Sequence, residues 1–430
     1  MEGLLKENIR LTSQSGKEYY IIRKLGEGGQ GEVYEVKNNE KHYALKWYFK
    51  HNATTEQKNI IQSLISKGRP NKNFLWPTDF VEFESSYGYI MQLRPDKYKS
   101  IVDMMKRRAE PTFKALCISG INLSEGYQQL HSLGYSYRDI SFGNIFLNPD
   151  NGNVLICDND NVSINGLHDS AVYGTQRFMA PEIVRGEKSP STDTDLFSMS
   201  VLLFYMFMLH HPLEGAQEAK IKCMDINAMN KIYGFNPIFI WNPTDDSNRP
   251  VWGYQDNAII YWKLYPKFIR DLFTRAFTVG INEPQKRVVE KEWKDAFTKL
   301  LNNIVICPNC GVESFYDDEI HKNGENQYCW NCQNVIQVPQ TLKFNKNYIM
   351  LNKGTEIYEH HIKDNYNFKN VVGVVTQNPN NPHLWGIKNL SSDIWMYIKN
   401  DGSKGPVIEG KTAPMVQGSK INFGSKIGEF

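Results

Sequence analysis

Gly26-Glu27-Gly28-Gly29-Gln30-Gly31-Glu32-Val33 is followed by Ala44-Leu45-Lys46 at the end of an alternating apolar run. Glycines let backbone N–H groups approach phosphates that a Cβ would hold away, and a lysine adds a point charge for the same phosphates. Further along, Asp139 and Asn144 stand five residues apart in Tyr137-Arg138-Asp139-Ile140-Ser141-Phe142-Gly143-Asn144. Asp158-Asn159-Asp160 then follows a short apolar run, Val154 to Cys157. Carboxylates and an amide at strand ends suit Mg²⁺, which takes one or two carboxylates plus phosphate oxygens. A separate set is Cys307-Pro308-Asn309-Cys310 with Cys329-Trp330-Asn331-Cys332. Two such C-x₂-C turns place four thiolates at the corners of a tetrahedron around Zn²⁺. A disulfide pair is the alternative, disfavoured in a reducing compartment.

The elements that must hold these groups follow from periodicity. Tyr19 to Leu25, Val33 to Val36 and His42 to Trp47 read as strands on both sides of the glycines. No helix opens at the third glycine, which argues for a glycine-rich hairpin and against a dinucleotide-binding turn. Thr54 to Lys67 has helical spacing and stops at Gly68-Arg69-Pro70. Tyr87 to Leu93 reads as a strand and Phe113 to Leu133 as a helix. The longest apolar run, Val201 to Leu209, is too short to span a bilayer and reads as a buried helix.

The chain has 430 residues, room for two or three domains, and 41% hydrophobic residues, enough for a sizeable core. A net charge of +2 gives no case for non-specific nucleic-acid binding. Met1 to Thr12 has no signal-peptide apolar region. Of the seven cysteines, Cys117, Cys157 and Cys223 are scattered and read as inert thiols. These features imply a cytoplasmic protein with no membrane or nucleic-acid partner.

With these motifs in this order, the chain resembles a eukaryotic-type, bacterial Ser/Thr protein kinase over residues 15–302. The resemblance implies an α+β bilobal protein kinase fold. By the same resemblance, Gly26, Gly28 and Gly31 cover the phosphates of ATP and Lys46 holds the α- and β-phosphates. Val33 and Ala44 join the nucleotide site, and Gln92 and Leu93 form the adenine-binding hinge with Met91 beside them. Asp139 takes the proton of the substrate hydroxyl, and Asn144 and Asp158 hold Mg²⁺. Gly174-Thr175-Gln176-Arg177-Phe178-Met179-Ala180-Pro181-Glu182 matches the segment closing the activation loop, and Arg287 the arginine that pairs with Glu182.

The chain also departs from that family. Tyr137 replaces the usual histidine, Ser141 the usual lysine, and Asn159-Asp160 the usual Phe-Gly. Asp160 reads either as a group that supports the metal site from behind its ligands or as a solvated charge. Glu56 is the only acidic residue between Lys46 and Asp79, either pairing with Lys46 or lying solvated in a first helical turn. The activation loop, Asn161 to Arg177, offers Ser163, Ser170, Tyr173 and Thr175 for phosphorylation. An aromatic-rich segment, Glu214 to Trp262, reads as an ordered insertion or a docking surface. It resembles insertions in bacterial stress-locus kinases, which implies a von Willebrand-type protein and a phosphatase as partners beside protein substrates.

Residues 303–340 resemble a zinc ribbon, with Gly311 to Tyr328 forming a short hairpin between the cysteine pairs. Residues 341–430 read as an all-β sandwich with strands at Tyr348 to Leu351, Val371 to Thr376, Leu384 to Ile387 and Ile394 to Ile398. They resemble a forkhead-associated domain whose phosphate-reading residues are replaced, the nearest features being Lys353-Gly354 and His360-His361. The expected activity is transfer of the ATP γ-phosphate to protein Ser/Thr hydroxyls, the protein's own included. The alternatives are a pseudokinase acting as a nucleotide-responsive scaffold, and a small-molecule kinase.

Overall fold

The computed structural model describes residues 3–165, 174–345, 347–363, 365 and 367–430. The chain falls into two compact units, Met1–Lys263 with Phe268–Phe297, and Leu264–Lys267 with Thr298–Phe430. Ser170 and Tyr173 lie outside the described residues.

The first unit begins with an antiparallel sheet of β1 (Arg10–Thr12), β2 (Glu18–Glu27), β3 (Gly31–Asn38), β4 (Lys41–Tyr48), β5 (Asp79–Phe83) and β6 (Ser86–Gln92). The strand order is β1-β2-β3-β4-β6-β5. The glycine-rich segment is the turn from β2 into β3, as its flanking alternation predicts. Helix α1 (Thr55–Lys67) starts at an N-cap, where the Thr54 side chain accepts the Gln57 N–H, and stops at Gly68 with φ 75°.

Beyond the sheet come β7 (Lys99–Ser100), α2 (Ile101–Met105), α3 (Phe113–Ser132), β8 (Tyr135–Ser136), β9 (Ile145–Leu147) and β10 (Val154–Ile156). Then follow α4 (Pro181–Val184) and α5 (Thr192–Met208), whose residues from Thr194 to Met208 are all buried. A helix apolar all round has to be a core helix. Phe204 on α5 meets the rings of Phe239, Trp262, Phe273 and Phe277 at 5.1 to 6.3 Å. The insertion therefore sends Phe239 and Trp262 into the core, while Phe235, Trp252 and Tyr254 remain exposed. Among the described residues no helix is long and apolar enough to cross a membrane.

In the second unit, Ile304–Ile306 pairs antiparallel with Glu313–Phe315, and a short helix, Asp318–Lys322, precedes the second cysteine pair. This corrects the expected hairpin between the pairs. The hairpin straddles the first pair, because the C-x₂-C turn itself reverses the chain. The C-terminal region forms an antiparallel six-stranded and a four-stranded sheet around Leu342, Ile357, Ile387, Trp395 and Ile421. Strands Asn347–Met350, Val371–Asn378, Asn381–Asn389 and Trp395–Ile398 lie where alternation and turn residues placed them.

Candidate functional site

β4 carries Lys46 inward; its ammonium is buried and donates to Asp158 Oδ1 at 2.7 Å, Asp160 Oδ2 at 2.8 Å and Gln30 Oε1 at 2.9 Å. Burial opposes this charge, but Asp160 and Asp158 outweigh it and raise the lysine pKa. Asp158 follows β10 with φ 54°, a left-handed conformation that aspartate tolerates better than most residues. The next three residues, Asn159–Asn161, form a 3₁₀ turn. The Asn159 amide fastens that turn to the carbonyls of Leu75 at 2.8 Å and Ile156 at 3.0 Å. Burial and the neighbouring Asp160 raise the Asp158 pKa against the pull of Lys46.

The catalytic-loop candidates converge on the same place. Asp139 Oδ1 accepts from the backbone N–H and hydroxyl of Thr175 at 3.0 and 2.9 Å. The Asn144 amide nitrogen donates to the Asp139 carbonyl at 2.9 Å and to Oδ2 at 3.2 Å, so its carbonyl oxygen is the atom that can ligate a cation. The loop is held from beneath by Asp195 on α5, which accepts the N–H of Tyr137 at 2.5 Å and of Arg138 at 3.0 Å. The Tyr137 hydroxyl donates to the Cys157 carbonyl, tying the loop to the Asp158 turn. A tyrosine there acts as a packing and tethering group.

The donor set fits a divalent cation: Asp158 keeps a solvent-facing carboxylate edge and Asn144 a carbonyl oxygen, the hard oxygen ligands such a cation takes. Space for a phosphate donor is also present. None of the loop glycines has a positive φ, and a Cβ at Gly26, Gly28 or Gly29 would meet nothing within 4 Å. Gly31 serves packing instead, because a Cβ there would strike the Trp47 carbonyl at 2.0 Å. Behind the loop, Val33, Ala44, Met91, Leu93, Leu155 and Cys157 belong to one apolar cluster, the kind of wall a purine ring requires. Gln92 is exposed at the end of β6.

Several contributors were not found from the sequence: Gln30, Tyr48, Gln57 and Tyr89, all of which reach the Lys46–Asp160 cluster. Tyr48 alone had a local signal, since residues two apart on a strand share a face. Glu56 is exposed in the first turn of α1 and is not where Lys46 finds its acidic partners. The insertion grips the end of the activation segment: Arg177 pairs with Glu214 at 2.9 Å and Gln176 donates to Asn230 at 2.6 Å.

Under the loop, His131 on α3 contacts Asp195 at 3.1 Å and also Glu290. Burial opposes its charge, but the hydrogen bonds to these acids outweigh it and lift its pKa to about 9. A raised histidine pKa stabilises the fold fully below the unfolded value near 6.5, and that contribution is lost as pH rises through about 9. Between those values roughly 3 kcal/mol of stability should disappear in the wild type. His131→Gln should flatten that slope, measured as urea midpoints from pH 6 to 10.

The four cysteine sulfurs lie within 4.8 Å of one another. Cys307 and Cys332 are 3.6 Å apart, as are Cys310 and Cys329. A tetrahedral Zn–S shell with bonds of about 2.3 Å has edges of about 3.8 Å. Each pair sits in the same backbone turn. The Gly311 N–H returns to the Cys307 carbonyl and the Gln333 N–H to the Cys329 carbonyl, both at 2.9 Å, with φ of 74° and 60°. The Asn334 backbone N–H pulls the Cys332 thiol down to about 6, towards the thiolate a metal needs. In the C-terminal sheets, His361 is buried, with Nδ1 accepting the Tyr358 N–H at 2.9 Å and Nε2 beside Asn302 Oδ1 at 3.0 Å, so it is engaged internally.

A probable serine/threonine-protein kinase, CCRP1, of Zea mays is 29% identical over 212 residues, 47% of this chain and 33% of its own length. The cell cycle serine/threonine-protein kinase CDC5/MSD2 of Saccharomyces cerevisiae is 25% identical over 239 residues, 53% of this chain and 34% of its own. The serine/threonine-protein kinase polo of Drosophila melanogaster is 26% identical over 208 residues, 46% and 35% of the two chains. The chain thus spans about a third of the length of these relatives. Residues 19–303, more than half of the chain, match the family described as protein kinase domain. With a glycine-rich hairpin, an inward lysine and the Asp139–Asn144–Asp158 constellation in one place, the chain belongs to the protein kinase family.

Proposed function

We propose that the chain is an ATP- and Mg²⁺-dependent protein kinase that phosphorylates serine and threonine hydroxyls of proteins, its own activation segment included. The single observation that carries this reading is the Asp139 carboxylate accepting a threonine hydroxyl at 2.9 Å while sharing Asn144 with the metal-facing side of the site. In that geometry Asp139 takes the proton as the hydroxyl oxygen attacks the γ-phosphorus, and the bond to the β-phosphate oxygen breaks to release ADP. Lys46 orients the α- and β-phosphates, and Val33, Ala44, Gln92 and Leu93 seat the adenine. Asn144 and Asp158 are the residues that would hold Mg²⁺, which would supply positive charge to offset that of the phosphates. Cys307, Cys310, Cys329 and Cys332 hold one structural Zn²⁺ in a reducing compartment, and the C-terminal sandwich serves protein interaction.

Asp139→Asn and Lys46→Met should each lower γ-phosphate incorporation into the protein and into a generic basic protein by about a hundredfold or more. Asp139→Asn should keep the wild-type thermal midpoint to within a few degrees, whereas Lys46→Met strands the buried Asp160 carboxylate and should also lower the midpoint. Equal incorporation by wild type and Asp139→Asn would overturn the reading. Nucleotide binding without transfer, across Mg²⁺ and Mn²⁺, would favour a scaffold.

A further inference from the structure

Resting on the kinase reading, we propose that Asp160 is the residue that positions Lys46 for the nucleotide, and that it does so as a permanent counter-ion outside the metal shell. The Asp160 side chain is 0% exposed, against 35% for Asp158. A carboxylate has about four acceptor positions. At Asp160 protein donors fill them. Oδ1 accepts from Lys46 at 3.0 Å and Tyr89 at 2.9 Å, and Oδ2 from Lys46 at 2.8 Å and from the Tyr48 hydroxyl. No acceptor position is left for a cation. Asp158 meets Lys46 through Oδ1 alone and keeps a solvent-facing edge, so it is the carboxylate that turns to the metal.

Strand register builds this cradle. Tyr89 on β6 is the cross-strand partner of Lys46, and Tyr48 lies two residues beyond Lys46 on β4, so all three share one sheet face. The 3₁₀ turn lifts Asp160 into that face, and the Asn159 amide locks the turn. Helix α1 joins by a neutral link, with Gln57 donating to the Asp160 carbonyl at 3.1 Å. Its exposed Glu56 takes no part. Lys46 is therefore placed by the turn after Asp158 and not by an ion pair to α1.

The test uses the full chain and two readouts: affinity for a fluorescent ADP without metal, and the Mg²⁺ concentration giving half-maximal phosphate transfer. Asp160→Asn should weaken metal-free ADP binding about tenfold or more, raise KM for ATP similarly, and leave the Mg²⁺ midpoint within about twofold. Glu56→Gln should change neither readout. Asp158→Asn should shift the Mg²⁺ midpoint strongly. Tyr89→Phe, which removes one donor without emptying space, should weaken ADP binding about threefold, and it decides the matter if Asp160→Asn does not fold. A shifted Mg²⁺ midpoint in Asp160→Asn would make Asp160 a metal ligand and overturn the proposal. Unchanged ADP binding in Asp160→Asn or Tyr89→Phe would also overturn it, as would a Glu56→Gln defect. If the wild type transfers no phosphate while Asp160→Asn still weakens ADP binding, the kinase reading fails and the positioning role stands.

Discussion

Removing zinc, by chelation or by Cys307→Ser, should unfold the segment from about residue 304 to 337 while leaving nucleotide binding by the first unit intact. The reason is the size of the core around the four sulfurs. Its buried members are Val305, Cys307, Cys329, Ile336 and Met350, so two of the metal-site residues are themselves part of the core. Such a cluster cannot offset the conformational entropy of ordering some thirty residues at about 1–2 kcal/mol each. Structural zinc sites of this donor type contribute on the order of 10–16 kcal/mol of apparent folding free energy at neutral pH. Elemental analysis should give one zinc per chain, and Cys307→Ser should give none. Limited proteolysis should then cut the variant between the cysteine pairs at least tenfold faster. Metal-free protein whose sulfurs are oxidised in pairs and whose segment resists protease would sink the expectation. The 3.6 Å separations are well beyond an S–S bond of about 2.05 Å, so the four cysteines are free thiols whose spacing is compatible with a structural zinc.

The ribbon also shows where sequence reasoning reached and where it stopped. Donor type and spacing were legible because C-x₂-C turns are local. The pairing of Ile304–Ile306 with Glu313–Phe315 was not, because it depends on the first turn acting as the hairpin loop. The same division holds at the kinase site. The glycine hairpin, Lys46, Asp139, Asn144 and Asp158 each sit in a short motif with its own chemistry, and the structure brings them together. The role of Asp160 was hidden. Its partner Lys46 is 114 residues away, and nothing in the triplet Asp158-Asn159-Asp160 says which acid faces the lysine. Only the β4–β6 register and the hydroxyls of Tyr48 and Tyr89 decide that. In the C-terminal region alternation located individual strands, yet not their order. Lys343, near its start, pairs with Glu429 at its end, a long-range closure that no local period reports.

Arg287→Ala should destabilise the first unit by about 3–5 kcal/mol, the usual result of removing one partner of a buried ion pair. The guanidinium is 1% exposed and Glu182 6%, and they meet at 2.9 Å. Nε also donates to the Gly280 carbonyl and Nη1 to the Asp193 carbonyl, both at 2.9 Å, and the group lies over the Phe197 ring. One planar fork therefore joins α4, the start of α5 and the short helix Val279–Asn282. Alanine leaves two carbonyls and a buried carboxylate without it. Lysine keeps the charge but not the fork, so Arg287→Lys should still lose about 2 kcal/mol. Replacing both partners, as in Arg287→Met with Glu182→Leu, should recover much of the loss, because no charge is then stranded. Urea midpoints of the wild type, Arg287→Met, Glu182→Leu and the double variant form the double-mutant cycle, and a loss below about 1 kcal/mol in Arg287→Ala would sink the argument. The functional consequence follows from position. Glu182 lies in the first turn of α4, four residues past Phe178, which ends the short 3₁₀ turn that begins one residue after Thr175. Thr175 in turn sits on Asp139. Loosening α4 should disturb that segment before it reaches Lys46 or the glycine hairpin. Near the wild-type temperature limit, Arg287→Lys should therefore lose protein phosphorylation several-fold while metal-free ADP affinity stays within twofold.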